Sequence, residues 1–138
     1  MKISTKGRYG LTIMIALAKN NRNEPLALKT IAKQYNLSEH YLEQIVGPLR
    51  NVGLVKSVRG AKGGYLLTKT PREISTADII RTLEGPIRIV EEIDGEEASQ
   101  QQLWKRMSDA IKDVLETTTL QDLIDEQVDY QEENMFYI

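Results

Sequence analysis

The chain of 138 residues contains no cysteine. That excludes disulfides, thiolate-bound zinc, a cysteine-ligated iron–sulfur cluster and any thiol switch within it. His40 is the only histidine, so no second imidazole or thiol is present to complete a metal site, and neither metal nor cofactor is expected. No apolar run approaches the ~20 residues of a membrane span, and Met1-Lys2-Ile3-Ser4 does not read as a signal peptide, which predicts a cytoplasmic protein. Internal repeats and low-complexity tracts are also missing. An apolar fraction of 41% argues against wholesale disorder and suits a modest core, as expected of one compact domain plus an extension.

What is present is a division of charge. Residues 1–72 carry thirteen Lys/Arg against three acids (Glu24, Glu39 and Glu43), whereas residues 73–138 carry five against seventeen. The net charge of −2 conceals a basic block near +10 and an acidic remainder near −12. A basic block attracts polyanions such as DNA, and the acidic remainder limits indiscriminate association.

Within the basic block the apolar periodicity is specific. Ser4 and Thr5 can cap a first helix to about Lys19 that is apolar around most of its circumference, a pattern expected of a helix covered on several sides. Leu28, Ile31, Ala32 and Tyr35 follow the i, i+3, i+4, i+7 spacing of a short helix. Asn36-Leu37-Ser38 makes a turn, and Leu42, Ile45, Val46 and Leu49 repeat the spacing. Pro48 predicts a kink or break, leaving Glu39 to about Gly47 straight. Leu54 to Val58 alternates as a strand, Gly60-Ala61-Lys62-Gly63-Gly64 reads as a flexible turn, and Tyr65-Leu66-Leu67 returns. A helix-turn-helix followed by a β-hairpin is a winged helix-turn-helix.

Beyond Pro71, Ser75 with Asp78 fits a capping box opening a short helix through Leu83, stopped by Gly85-Pro86. Glu91 to Ala98 reads as an acidic loop. A long helix at about 99–116 places Leu103, Met107, Ala110, Ile111, Val114 and Leu115 on one stripe beside Trp104. Thr119 with Asp122 fits a cap for a last short helix near Leu120–Gln127, followed by an acidic tail ending Met135-Phe136-Tyr137-Ile138. The expected fold class is α+β, mainly α: a DNA-binding domain over 1–72, a dimerisation region over 73–130 and a tail over 131–138. A long one-sided helix in so small a protein suits association with a second subunit, and Leu103, Met107, Ile111, Val114 and Leu115 are its dimerisation candidates.

The candidate DNA-contacting residues are Ser38, His40, Glu43, Gln44 and Arg50 on the second helix, and Lys56, Arg59 and Lys62 on the wing. Gln pairs with adenine and Glu accepts from the cytosine amino group in the major groove, although Glu43 can equally repel phosphates. Arg59, beside Gly60 at the wing bend, suits a narrow minor groove. Lys2, Lys6, Arg8 and, of those named, Arg50 are weaker candidates, since a solvated surface Lys or Arg is the default. The glycine run lacks the Gly-Lys-Ser/Thr ending of a phosphate loop and leads into a strand. Nothing pairs a nucleophile with an oriented base, so no enzyme is expected. Two amphipathic helices alone would also suit a protein-binding adaptor; the wing and the charge favour nucleic acid.

At Ser4-Thr5-Lys6-Gly7-Arg8-Tyr9, Tyr41-Leu42-Glu43-Gln44, Leu49-Arg50-Asn51-Val52-Gly53-Leu54-Val55 and Arg59-Gly60-Ala61-Lys62-Gly63-Gly64-Tyr65 the chain resembles the Rrf-two (IscR-type) family of bacterial winged-helix regulators, over residues 1 to about 120. The resemblance implies a dimer on a partly palindromic operator of double-stranded DNA, a recognition helix carrying His40, Glu43 and Gln44, a wing arginine at Arg59, and a long helix that crosses to the partner. Many members hold an iron–sulfur cluster on three cysteines before and at the start of that helix; residues 91–104 contain none.

The start Met1–Gly10, the segment Ser38-Glu39-His40-Tyr41 and the end Met135–Ile138 are similar to the cysteine-metabolism repressors within that family. That similarity implies repression of sulfur-assimilation and cystine-uptake genes in a complex with cysteine synthase. Cysteine synthases capture partners through a C-terminal isoleucine carboxylate, which makes Phe136, Tyr137 and Ile138 the partner-binding candidates and O-acetylserine the competing ligand. A tail folded back onto the dimer is the alternative reading, and a cluster-free regulator of nitrosative stress or iron homeostasis is the alternative function.

Overall fold

The caps form where the sequence places them. In the computed structural model, which describes residues 2–20, 23–91 and 93–135, the Ser4 hydroxyl accepts the Gly7 N–H at 3.2 Å and opens α1 (Thr5–Lys19). Helix α2 (Leu28–Tyr35) ends at Asn36, whose left-handed backbone (φ 56°, ψ 51°) turns the chain into α3 (Glu39–Asn51). Asparagine tolerates that conformation better than most residues. After Gly53 (φ 81°), strands β1 (Val55–Val58) and β2 (Gly64–Leu67) pair antiparallel in the register Val55↔Leu67 to Val58↔Gly64. Leu26 adds an isolated antiparallel bridge to this wing, exchanging backbone hydrogen bonds of 3.0 and 2.9 Å with Tyr65.

A 3-10 turn (Pro71–Glu73) leads to α4 (Thr76–Glu84), opened by the expected capping box of Ser75 and Asp78. Helix α5 (Ala98–Thr117) and helix α6 (Leu120–Met135) follow, with Thr119 and Asp122 capping the latter. Among the described residues, six helices and a two-stranded sheet make the protein mainly helical, as expected.

Helix α1 is central and lies against α3, α4, α6 and the wing, so its apolar circumference is covered on several sides. Ile13, Met14, Ile31, Leu42, Ile45 and Leu49 form one core with Ile74, Ile79 and Leu120, all fully buried. A Cβ on Gly10 would stand 2.0 Å from Leu83 Cδ1, which shows how closely α1 and α4 cross. At the same crossing the Ser4 N–H donates to Glu84 Oε1 at 2.9 Å, placing a carboxylate at the N-terminus of α1, where the helix dipole favours it.

The start of α4 is tied to the end of α5. The Thr76 N–H donates to the Thr118 carbonyl (2.8 Å) and the Leu120 N–H to that of Ile74 (3.0 Å). Thr76, the one buried polar side chain among the described residues, donates its hydroxyl towards the carbonyls of Leu115 (2.7 Å) and Thr118 (3.0 Å).

Two expectations need correction. Of the kink or break expected at Pro48, no break occurs, and helix α3 continues through Pro48 to Asn51. The clash that proline imposes on its predecessor is partly with that residue's Cβ, which Gly47 lacks. The carbonyl left without a helical donor belongs to Gln44, a solvent-exposed residue. Helix α6 also runs beyond Gln127 to Met135. Residues 120–135 contain no glycine or proline, and a Gln121–Asp125 side-chain bond of 3.0 Å supports the helix at i, i+4. From Asp125 to Asn134 every side chain is exposed.

Candidate nucleic-acid interface

The buried face of α3 decides its exposed one. With Leu42, Ile45, Val46 and Leu49 inside, Glu39, His40, Glu43, Gln44 and Arg50 face solvent. Tyr41 turns inward and meets the Tyr9 ring edge-on, with centroids 5.7 Å apart. The Ser38 hydroxyl accepts the Tyr41 N–H at 3.4 Å, so Ser38 is exposed but engaged as a cap. His40 Nε2 and Gln44 Nε2 lie 3.4 Å apart, one helical turn along the same face. This contact couples the ring tautomer of His40 to the amide of Gln44, so the two side chains present one combined donor–acceptor pattern.

On the wing, Lys56, Arg59 and Lys62 are all exposed, with Arg59 next to the bend at Gly60. The turn itself is tighter than its glycine content suggested. A Cβ on Gly63 would stand 2.2 Å from the Val58 carbonyl oxygen, and one on Gly64 would stand 2.4 Å from the Leu26 backbone. These glycines allow close backbone approach, and the turn is held by a 2.9 Å bond from the Gly63 N–H to the Gly60 carbonyl.

A groove of about 390 Å³ joins α2, α3 and the wing, lined by Lys29, Glu39, Glu43, Arg50, Gly64 and Tyr65 with Ala27 and Leu28. It brings Glu43 and Arg50 together; Ser38, His40, Gln44, Lys56, Arg59 and Lys62 lie outside it. Glu43 therefore shares a groove with two cations, Lys29 and Arg50. Lys29 escaped the sequence reading. It stands in the first turn of α2, whose N-cap, Ala27, has no side chain to satisfy the leading amides. A basic residue beside an uncapped helix start suits a phosphate, and the absence of Ser, Thr, Asp or Asn at position 27 was the available signal.

The sequence profile of the Rrf2 family, described as an iron-dependent transcriptional regulator, matches residues 3–126. The chain belongs to the Rrf2 family. The HTH-type transcriptional regulator CymR of Bacillus subtilis is 60% identical over 138 residues, the whole of both chains. The solved structure of CymR, described as the global cysteine regulator of B. subtilis, superposes with a TM-score of 0.86 over 91% of this chain and 98% of its own. The IscR structure of T. potens has 40% identity and a TM-score of 0.77, covering 92% and 88%. The winged-helix fold and its long helix are thus those of Rrf2 regulators.

The Rrf2 description raises the question of iron, and the donor set here does not fit a cluster. The chain has no cysteine, and its one histidine sits on α3. Among the described residues no group of three or more His, Cys, Asp or Glu is placed to hold a metal ion. Ahead of α5 the structure is organised by side-chain hydrogen bonds: the Trp104 indole N–H donates to Glu96 at 3.1 Å, and Glu97 with Gln100 forms a capping box.

Helix α5 divides the expected dimerisation stripe in two. Leu103, Met107 and Val114 are exposed at 44%, 42% and 61%, whereas Ile111 and Leu115 are half-buried, as is Trp104. None of the twenty residues of α5 is buried within the chain. Phe136, Tyr137 and Ile138 lie outside the described residues. Among those described, no helix is long and apolar enough to cross a membrane.

Proposed function

We propose that this Rrf2 regulator is a cytoplasmic homodimer that represses genes of cysteine and sulfur metabolism from a partly palindromic operator. It acts in complex with cysteine synthase, and O-acetylserine relieves the repression. Identity of 60% with CymR from end to end carries the reading. In it, α3 enters the major groove with His40, Glu43 and Gln44 towards base edges, while Arg59 on the wing reaches the minor groove. Lys29, Arg50, Lys56 and Lys62 hold phosphates, with Ser38 at the helix start. The exposed ridge of Leu103, Met107 and Val114 meets its symmetry mate, and the exposed outer half of α6 leads towards the partner-binding residues Phe136, Tyr137 and Ile138.

Fluorescence anisotropy on a cysteine-biosynthesis promoter fragment, in excess random DNA, tests the reading. The operator should be preferred by on the order of a thousandfold, with binding tightened by cysteine synthase and loosened by O-acetylserine. Operator binding indifferent to the enzyme would remove the co-regulator; no preference over random DNA would remove the regulon. In the same assay Arg59→Ala should cost roughly 1–3 kcal/mol, and an unchanged affinity would discredit the minor-groove role.

A further inference from the structure

The acidic half of the chain holds only five basic residues, and three of them converge. Arg81 on α4, Arg88 just beyond it and Lys112 on α5 line one cleft with Glu116, Pro86 and Ile87. Its volume is about 640 Å³, against about 390 Å³ for the groove beside α3. Arg81 is bonded to Glu116, an ion pair across α4 and α5. Among the described residues neither Arg88 nor Lys112 has a carboxylate at ion-pair distance. Three cations against one carboxylate leave the cleft near +2 within a region near −12.

Like charges lining one cleft in an otherwise acidic region repel one another, screened in part by water and salt, and an anion shared between them removes that repulsion. A general need for solubility does not explain the cluster either, because residues 73–138 already carry a large net charge of the other sign. The cleft also has an apolar wall in Pro86 and the buried Ile87. By helical geometry, Lys112 and Glu116 lie on the flank of α5 opposite the Leu103–Met107–Val114 ridge, so a dimer built on that ridge leaves the cleft open.

We infer that this cleft binds a small multivalent oxyanion, a carboxylate or phosphate compound whose apolar portion rests on Pro86 and Ile87. Arg88 and Lys112 hold the anion, and Arg81 turns to it from Glu116, so the ligand replaces a weak exposed ion pair with a three-point tie between α4 and α5. Because α4 rests on α1 and α3, that tie bears on how α5 is set relative to the helix-turn-helix. The inference stands on this chain's own residues, independently of which genes it controls.

Isothermal titration of the full chain with inorganic pyrophosphate and, separately, citrate, each at matched ionic strength, tests it. At least one should bind saturably with one site per chain, and the preference between them distinguishes phosphate from carboxylate ligands. Arg88→Gln with Lys112→Gln should weaken binding about tenfold or more, and Glu116→Gln, which removes the competing carboxylate, should tighten it. Lys105→Gln with Arg106→Gln makes the same change of charge outside the cleft and should leave binding unaltered. Saturable binding of neither anion, or equal weakening by the two double variants, would overturn the proposal.

Discussion

Glutamate at both Leu103 and Val114 is expected to convert the proposed dimer to monomers of 15.7 kDa and to weaken operator binding by about a hundredfold or more. Both side chains are largely exposed in the single chain, so removing their apolar surface costs the isolated fold little. In a two-fold interface each substitution appears twice and sets like charges against a face that must lose water. A monomer reaches one half-site at a time and forfeits the gain from linking two. Light scattering with anisotropy reads both effects, and far-ultraviolet circular dichroism should stay unchanged. A persisting dimer would show that the interface lies elsewhere. Ile111→Glu is a poorer probe, because Ile111 is half-buried within its own subunit and its loss disturbs both levels.

Gly64→Ala is expected to cost about 3 kcal/mol of stability, or to free the wing and abolish sequence-specific binding while the helices remain. The added Cβ would stand 2.4 Å from the backbone of Leu26, and neither strand can yield by rotating a side chain. Relief requires breaking the two Leu26–Tyr65 hydrogen bonds, which join the wing to the segment before α2. Chemical denaturation measures the first outcome, and amide exchange at Leu26 and Tyr65 the second. Wild-type stability with both amides still protected would show that the turn has slack. Gly60, where a Cβ meets nothing within 4 Å, provides the contrast: its φ of 118° strains a substitution, but no neighbouring strand is displaced.

Much of the architecture was legible because its signals are local. A serine one residue before an apolar period states both where a helix starts and which dihedral it needs, and Ser4, Ser38 and Ser75 each cap as read. The alternation of Leu54–Val58 and the return at Tyr65 likewise specify a hairpin. Of the kink or break expected at Pro48, the break does not occur because the rule for proline assumes an ordinary neighbour, and Gly47 is not one. Helix α6 outruns its expected end because an acidic composition does not stop a helix: Glu and Gln are good helix formers when no Gly or Pro interrupts them.

The candidate site divides in the same way. From the chain alone, periodicity determined that Glu43, Gln44 and Arg50 share the outward side of α3, since one buried face leaves one exposed face. Composition alone determined that no cysteine-held cluster can form. Only the tertiary structure decided that Lys29 joins Glu43 and Arg50 in one groove, that Gly64 lies against Leu26, that the α5 stripe separates into an inward and an outward ridge, and that Arg81, Arg88 and Lys112 face a common cleft. Each of these depends on where segments far apart in sequence cross. Helical and strand periods fix a residue's face on its own element, but the partner of that face is chosen by packing across the whole core.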